Sequence, residues 1–491
     1  MKLSKVIGLT SLTNSCVAQA TSSELIAYAA GCIAVLYNPQ TNKQVSYFKV
    51  TRAISCLALT NDGMYLAIGE RGHQPCITVW DIRTSEKLST LTGHQHGIGV
   101  LKFSLDDEDL VSIGFKTDKQ LIVWDWKEGR HTCSTKLENK VNSIDFHLGG
   151  QFFVTCGENH LKWWYMIKEP HPSDCNKQIV KGLNGRPASI LDVHRNSNFV
   201  DILCAKVNMN QSISTNVYTL SSTGMLCLLH ETRLMDKWVQ VDTPKAFALA
   251  LTPTSHILVG CTNGRILIFS GESLEYLASL PTPSPLPCSS TQNQIKYPAC
   301  YSICPLSTSS NVVSIYADRS MFIWDLTDIY QPIKLRSFTN HSSCIWDLQF
   351  LQTHHPSSQQ DGLPLPSGTF FTCGADNMIH IWNLDPKQQR SSSWKSNSSR
   401  DLLHSLVVDI VETDVLKRKS RESDSLDFDL SSSSIDTELP ERQQVFFLLI
   451  HLINHPDRVF GLLDVLLCIR IARSWHAEAK LELFIFFPST Q

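Results

Sequence analysis

Short segments in which apolar and polar residues alternate follow one another along most of the chain. Ile54–Leu59, Val141–Phe146 and Ile345–Phe350 are clear examples. Alternation with a period of two is typical of a strand that buries one face. No helical periodicity appears before Asp401. The pattern therefore predicts an all-β fold built from many short strands.

One apolar segment recurs and closes on an aromatic or large apolar residue, often with Asp or Asn next to it. The closing positions are Tyr37, Trp80, Trp124, Trp164, Leu229, Phe269, Trp324 and Trp382, spaced by 43, 44, 40, 65, 40, 55 and 58 residues. A period of about 40–45 residues is that of one four-stranded β-propeller blade. The longer gaps hold insertions such as Pro281–Ser290 and Thr353–Ser367. We expect eight blade units within residues 1–385.

Three closures read Trp-Asp, at Trp80-Asp81, Trp124-Asp125 and Trp324-Asp325, and one unit opens with Gly93-His94. With these motifs the chain resembles the WD-repeat β-propellers. The resemblance implies an interior hydrogen-bonded relay that runs from His to Asp to Ser or Thr to the Trp indole. It maps onto His94, Asp118, Ser112 and Trp124; onto His341, Asp376, Thr372 and Trp382; and, without a matching His, onto Ser314, Asp318 and Trp324. The units that close at Tyr37 and Leu229 are degenerate.

Several divergent units resemble one branch, the mitogen-activated-protein-kinase-binding (JNK scaffold) and spindle-pole WD-repeat proteins. The resemblance rests on Tyr28–Pro39, Trp163-Trp164, Gly260–Phe269, Leu274–Pro281 and Leu365–Asp385. Members of that branch carry two consecutive propellers and a long tail. This chain stops where a second propeller would be continuing. The eighth unit either starts a second ring or is used in closing the first, and the sequence leaves both open.

The composition limits the classes of function. Lys+Arg is 43 and Asp+Glu is 46, a net charge of -3, so no basic excess indicates a nucleic-acid partner. The 16 cysteines stand without a CxxC pair, so we expect buried free thiols in a reducing compartment and no metal site. No GxSxG, GxxxxGK[ST], HExxH or GxGxxG motif occurs. We expect no enzyme activity, no cofactor and no membrane partner.

Beyond residue 385 the composition changes. Residues 386–444 are Ser-rich and read as a partly disordered linker. Residues 445–491 hold two apolar runs, each shorter than a membrane-spanning helix. Three interpretations of this tail stay open: a membrane anchor, amphipathic helices that pack on the propeller or a partner, or a segment that is not a selected structure.

Two short features suggest that a protein kinase binds or phosphorylates this chain. Lys417, Arg418 and Lys419 precede the alternating residues Leu426, Phe428 and Leu430. That order resembles a mitogen-activated-protein-kinase docking peptide, in which alternate side chains enter apolar pockets; a plain solvated linker is the alternative. Thr282 and Ser284 each precede a proline, the minimal form of a proline-directed phosphorylation site.

The function expected from these observations is a non-enzymatic protein-interaction scaffold in the cytoplasm. The family resemblance implies a mitogen-activated protein kinase cascade. A structural component of the centrosome or spindle pole is the first alternative, and an RNA-processing WD-repeat protein is the second. Kinases or spindle and centrosomal proteins are the expected partners.

Overall fold

The computed structural model describes residues 3, 5–11, 13–171, 174–189, 196–209, 212–283, 297–350, 368–376, 378–383, 402–407, 409–411 and 482–484. Within these residues the protein is almost entirely β-structure, with eight four-stranded antiparallel sheets. We call each sheet a blade and number the blades in chain order. In every blade, strands adjacent in sequence are neighbours in the sheet.

The strands of the first four blades begin at a three-residue 3-10 turn, Asn14–Cys16, and are numbered β1 to β16. Blade 1 comprises β1 (Val17–Gln19), β2 (Ile26–Ala30), β3 (Ile33–Asn38) and β4 (Lys43–Lys49). Blade 2 comprises β5 (Ile54–Leu59), β6 (Tyr65–Glu70), β7 (Cys76–Asp81) and β8 (Lys87–Thr92). Blade 3 comprises β9 (Ile98–Phe103), β10 (Asp109–Gly114), β11 (Gln120–Asp125) and β12 (Arg130–Lys136). Blade 4 comprises β13 (Val141–Phe146), β14 (Phe152–Gly157), β15 (His160–His171) and β16 (Asp174–Pro187).

The remaining blades follow the same order. Blade 5 comprises β17 (Phe199–Met209), β18 (Ser212–Ser221), β19 (Met225–Leu229) and β20 (Met235–Gln240). Blade 6 comprises β21 (Ala246–Leu251), β22 (His256–Cys261), β23 (Ile266–Ser270) and β24 (Tyr276–Ser279). Blade 7 comprises β25 (Cys300–Pro305), β26 (Asn311–Tyr316), β27 (Met321–Asp325) and β28 (Ile333–Phe338). Blade 8 comprises β29 (Ile345–Phe350), β30 (Thr369–Gly374), β31 (Met378–Asn383) and β32 (Leu402–Val407).

Each closing position predicted from the sequence lies on the third strand of a blade. The strand β32 completes blade 8 and lies beyond residue 385, where the repeats were expected to end. A short pair of strands, β33 (Asp409–Val411) and β34 (Glu482–Phe484), joins two segments further along the chain. Within the described residues, no helix has the length and apolarity needed to cross a bilayer.

Seven apolar clusters fill the seven interfaces of a closed ring. Six of them join consecutive blades, from blades 1 and 2 through to blades 6 and 7. The seventh joins the two ends: Val17, Ile26 and Val35 of blade 1 pack with Val313 and Ile323 of blade 7. Ring closure leaves no open sheet face between these blades. The first ring therefore uses blades 1 to 7 and does not need the eighth.

The chain divides into two compact units. One comprises Met1–Leu286 and Tyr297–Asn340 and contains the seven-bladed ring; the other comprises Pro287–Lys296 and His341–Gln491 and contains blade 8. Phe370 and Trp382 form the apolar cluster of blade 8 itself.

Candidate interaction site

The relay residues of blade 3 lie in one buried chain of hydrogen bonds. The Trp124 indole Nε1 donates to Ser112 Oγ at 2.7 Å. Ser112 Oγ lies 2.7 Å from His94 Nε2, and His94 Nδ1 lies 2.5 Å from Asp118 Oδ2. The same carboxylate accepts the backbone N–H of Gln95 at 2.7 Å. Blade 3 thus brings together all four residues that the resemblance singled out.

The chemistry of the donors fixes the proton positions in this relay. An indole N–H only donates, so Ser112 Oγ accepts from Trp124 and can give its own hydrogen to His94 Nε2. His94 then carries its proton on Nδ1, which faces Asp118. Burial lowers the pKa of His94 against the opposing effect of the Asp118 carboxylate. The neutral ring is therefore the form that suits the relay, which is a structural arrangement with no exposed nucleophile.

Blade 8 contains a second complete relay. Trp382 Nε1 donates to Thr372 Oγ1 at 2.7 Å, Thr372 Oγ1 lies 2.8 Å from His341 Nε2, and His341 Nδ1 lies 3.0 Å from Asp376 Oδ1. Burial alone would raise the pKa of Asp376, but the hydrogen bonds from His341 and the Ser342 backbone outweigh it and the pKa is lowered.

The relay in blade 8 also gathers a possible set of metal ligands. His341, Asp376 and His380 place their ligand atoms within 4.8 Å of one another. Both ring nitrogens of His341 already lie at hydrogen-bond distance from Asp376 and Thr372. A metal ion bound to His341 would have to displace one of these contacts, so the group is better suited to its structural role.

Blade 7 holds only half of the relay. Trp324 Nε1 donates to Ser314 Oγ at 2.9 Å. Asp318 instead accepts from Ser320, at 2.6 Å from Oγ and 3.0 Å from the backbone N. Burial raises the pKa of Asp318 against these hydrogen bonds. Asp318 thus stabilises its own turn and does not extend the Trp324–Ser314 pair.

Blade 4 contains a variant relay that the sequence analysis missed. Trp164 Nε1 donates to Thr155 Oγ1 at 2.8 Å, and Thr155 Oγ1 lies 2.8 Å from His160 Nε2. His160 is the first residue of the third strand, β15, whereas His94 precedes the first strand of its blade. The available signal was a Thr, a His and a Trp at spacings of 5 and 4 residues in consecutive strands. That spacing differs from the repeat pattern used in the search.

The turns between the first and second strands of the blades lie on one face of the ring. Asn61, in such a turn of blade 2, donates its backbone N–H to Asp107 in the matching turn of blade 3 at 2.9 Å. The turn between the third and fourth strands opens on the same face, because adjacent strands are antiparallel. His147 of blade 4 and Glu231 of blade 5 meet across two such turns at 3.3 Å.

Two long hairpins extend beyond the blades on this face, which we call the hairpin face. In blade 4, β15 pairs with β14 only as far as Tyr165, and residues 166–171 continue in pairing with β16. In blade 5, β18 pairs with β19 only from Val217, so 205–209 and 212–216 project as a two-stranded ribbon. Lys168 of the first hairpin reaches Asp106 in the turn of blade 3 at 3.3 Å, which anchors its base.

Exposed apolar side chains accompany the hairpins. Ile167 lies on the first hairpin, and Met64, Leu234 and Tyr330 lie in turns of the same face. A cleft of about 200 Å³ opens between blades 6 and 7, and its lining includes the polar residues Thr254 and Thr308 and the apolar residues Leu258 and Ile268. Such a mixture of exposed apolar residues and polar rim is typical of a protein-interaction surface.

The remaining predicted site residues lie elsewhere. Thr282 is exposed after β24, outside the hairpin face. Ser284 and the docking-like residues Lys417, Arg418, Lys419, Leu426, Phe428 and Leu430 lie outside the described residues.

Known proteins share these repeats. The family model "WD domain, G-beta repeat" matches residues 130–165 and 333–383. WD repeat-containing protein 62 of Mus musculus is 31% identical over 425 residues, which is 84% of this chain and 27% of that protein. Mitogen-activated protein kinase-binding protein 1 of Mus musculus is 32% identical over 420 residues, which is 83% of this chain and 27% of that protein. The chain therefore spans about a quarter of the length of these curated relatives.

Two further matches are more limited. Echinoderm microtubule-associated protein-like 4 of Homo sapiens is 30% identical over 153 residues, 28% of this chain and 16% of that protein. Among solved structures, the computationally designed Ika8 protein matches with a TM-score of 0.47 and 17% identity, covering 77% of this chain and 99% of that one.

Proposed function

Because the chain is a WD-repeat β-propeller protein that resembles the mitogen-activated-protein-kinase-binding and spindle-pole WD-repeat proteins, we propose that it is a non-enzymatic protein-interaction scaffold for a mitogen-activated protein kinase cascade. The observation that carries this proposal is the 32% identity over 420 residues with a protein named for binding such a kinase. A closed ring suits the role because it holds many loops in fixed relative positions.

We place the partner-binding surface on the hairpin face. It combines two projecting hairpins with exposed apolar residues, of which Ile167 and Leu234 come from adjacent blades 4 and 5. Apolar anchors surrounded by polar groups dominate most protein interfaces. Leu88 on the outer strand β8 is exposed as well, but it lies away from the hairpin face.

Proximity labelling with the tagged full chain tests both parts of the proposal. The wild type should label kinases of a mitogen-activated cascade, and the Ile167→Glu/Leu234→Glu double variant should lose that labelling. The control Leu88→Glu carries an acid on an outer strand and should label as the wild type does. Absence of kinases from the wild-type set would refute the cascade. Equal labelling by all three proteins would show that the kinases do not bind through Ile167 and Leu234 on the hairpin face.

The segment Lys417–Leu430 is a second proposed kinase contact. An extended peptide that must be ordered on binding should bind with micromolar affinity, about -8 kcal/mol. A synthetic peptide spanning 416–431 should bind a mitogen-activated protein kinase, and its Leu426→Ala/Phe428→Ala variant should not. If both peptides bind equally, or neither binds at about 100 µM, the segment is an ordinary linker.

A cytoskeletal role is the second candidate. It is supported by similarity to a microtubule-associated protein and to cilia- and flagella-associated protein 52 of Bos taurus, over 28% and 33% of this chain. The tagged chain would then concentrate at centrosomes or spindle poles in mitotic cells. A uniformly cytoplasmic signal through mitosis would count against this candidate and leave the kinase scaffold untouched.

A further inference from the structure

Three Thr-Pro dipeptides lie within the described part of the chain, and they differ in how the hydroxyl is used. Thr252 is buried, and its Oγ1 accepts the backbone N–H of His256 at 3.0 Å. Thr243 Oγ1 donates to the backbone oxygen of Lys245 at 2.9 Å. Both hydroxyls stabilise turns. Thr282 is exposed, and its hydroxyl makes no hydrogen bond to another described residue.

A cleft with one positive charge adjoins Thr282. Its volume is about 380 Å³, and its described lining residues come from the segment 281–283 and from blade 7: Phe322, Trp324, Pro332 and Lys334. Lys334 Nζ lies 5.8 Å from the centroid of the Phe322 ring, which is a cation–π distance between two residues that line this cleft. Among the described residues that line the cleft, none has a carboxylate.

Pro283 holds the segment in place. It is buried, while Thr282 beside it is exposed. Gly264 makes room for the ring, since a Cβ at this position would lie 2.5 Å from Pro283 Cδ. The φ of Gly264 is +68°, a conformation that other residues rarely adopt. The proline therefore anchors the chain beside the exposed Thr282, which lines the same cleft as Lys334.

We propose that Thr282 is a phosphorylation site for a proline-directed protein kinase and that Lys334 receives the phosphate. The kinase transfers the γ-phosphoryl group of ATP: the bond from the γ-phosphorus to the bridging oxygen breaks and a bond to Thr282 Oγ1 forms. The hydroxyl proton passes to the base of the kinase, and ADP leaves. Lysine suits the product because it binds phosphate as a compact point charge. The proposal does not depend on the scaffold role, because any kinase with this specificity would act on the site.

The first test is phosphorylation of the folded full chain. The Ser284→Ala variant removes the neighbouring Ser-Pro acceptor and serves as the background. Treated with a purified mitogen-activated protein kinase and ATP, it should gain one phosphate at Thr282 by mass spectrometry, and Thr282→Val in the same background should lose it. If a peptide spanning 276–290 is phosphorylated while the folded chain is not, the anchored proline keeps the site closed and the proposal fails.

The second test asks whether Lys334 receives the phosphate. The second pKa of phosphothreonine is about 6, and a nearby ammonium favours the doubly charged phosphate. A ³¹P titration should therefore give a pKa lower by about 0.2–0.7 unit with Lys334 present than in Lys334→Gln. Lys127→Gln, which removes a lysine stacked on Trp126 in blade 3, is the matched control and should leave the titration unchanged. Identical titrations in all three proteins would remove Lys334 from the proposal.

Discussion

At the scale of single residues, the relays decide where this protein tolerates polar groups in its core. The side chains of Trp124, Ser112 and His94 are all buried, and each forms a hydrogen bond with the next. Removing one member leaves the others without partners, which is costly in a medium of low polarity. The variant relay of blade 4 shows that the same requirement can be met with the histidine supplied from a different position.

Replacement of Trp124 tests the relay of blade 3. Trp124→Ala should lower the free energy of unfolding by about 3–5 kcal/mol, because it opens a cavity and leaves Ser112 and His94 incompletely paired. Asp118→Ala should act in the same direction but more weakly. Thermal denaturation of both variants checks this, and melting within a degree or two of the wild type would show that the relay is not stabilising.

The relay of blade 4 should make stability depend on pH. Burial, followed by the charge of Lys162, lowers the pKa of His160 to about 4. An unfolded histidine ionises near about 6.5, so the unfolded chain binds the proton first and stability falls as the pH drops from there toward about 4. The loss assigned to His160 amounts to roughly 3 kcal/mol.

Comparison with His160→Gln isolates this effect from other titrating groups. The stability advantage of the wild type over the variant should be constant above about pH 7.5 and shrink steadily below about 6.5. Urea denaturation at a series of pH values measures it. A difference that is the same at pH 7.5 and pH 4.5 would contradict a neutral, buried His160.

At the scale of the blade, a neighbouring blade determines whether an inner strand is buried. In three blades of the ring, the first-strand residue that pairs with the Ser or Thr bonded to the Trp indole is buried. These residues are Leu101 opposite Ser112, Ile144 opposite Thr155 and Ile303 opposite Ser314, with exposures of 4%, 4% and 3%. Leu348 of β29 occupies the same register position, opposite Thr372, yet is 46% exposed. Its neighbours Ile345 and Phe350 are exposed as well. The first strand of blade 8 therefore has the alternation of a buried strand, while its apolar side chains stay exposed.

The two leucines give a matched pair for measurement. Leu101→Ala should destabilise the ring by about 2–4 kcal/mol, as is usual for a buried leucine. Leu348→Ala should cost less, about 1 kcal/mol, because nearly half of the residue stays exposed in the folded protein. Equal losses in thermal denaturation would mean that another part of the protein covers β29 in solution.

At the scale of the whole molecule, closure between blades 1 and 7 converts repeated units into one ring. The N-terminal segment reinforces it: Asn14 Nδ2 donates to Asp201 Oδ2 of β17 at 2.7 Å, and Asn14 Oδ1 accepts from Ser302 Oγ of β25 at 2.8 Å. Burial raises the pKa of Asp201 to about 6 despite the hydrogen bonds that it accepts. One side chain thus ties the start of the chain to the inner strands of blades 5 and 7.

Closure predicts which truncations fold. A chain ending at Asn340 keeps all seven blades and should be monomeric and β-rich and unfold in one cooperative transition. A chain ending at Pro283 lacks blade 7, which exposes the apolar faces of blades 1 and 6, and should aggregate. Circular dichroism and size-exclusion chromatography distinguish the two. Aggregation of the longer chain would show that the ring depends on residues after 340.

The sequence by itself determined the strand pattern, the eight units and most of the relay members, because these depend on local alternation and on fixed spacings such as the one from Asp118 to Trp124. It did not determine how the ring closes. Closure depends on apolar faces far apart in the chain, such as those around Val35 and Ile323, which the alternation marks as buried without naming their partners. It also missed His160, since a histidine five residues from Thr155 becomes part of a relay only when a hairpin folds it back. The exposure of Leu348 was hidden for the same reason: its strand alternates as the strand of Leu101 does, and alternation marks which side chains can be buried without showing what covers them.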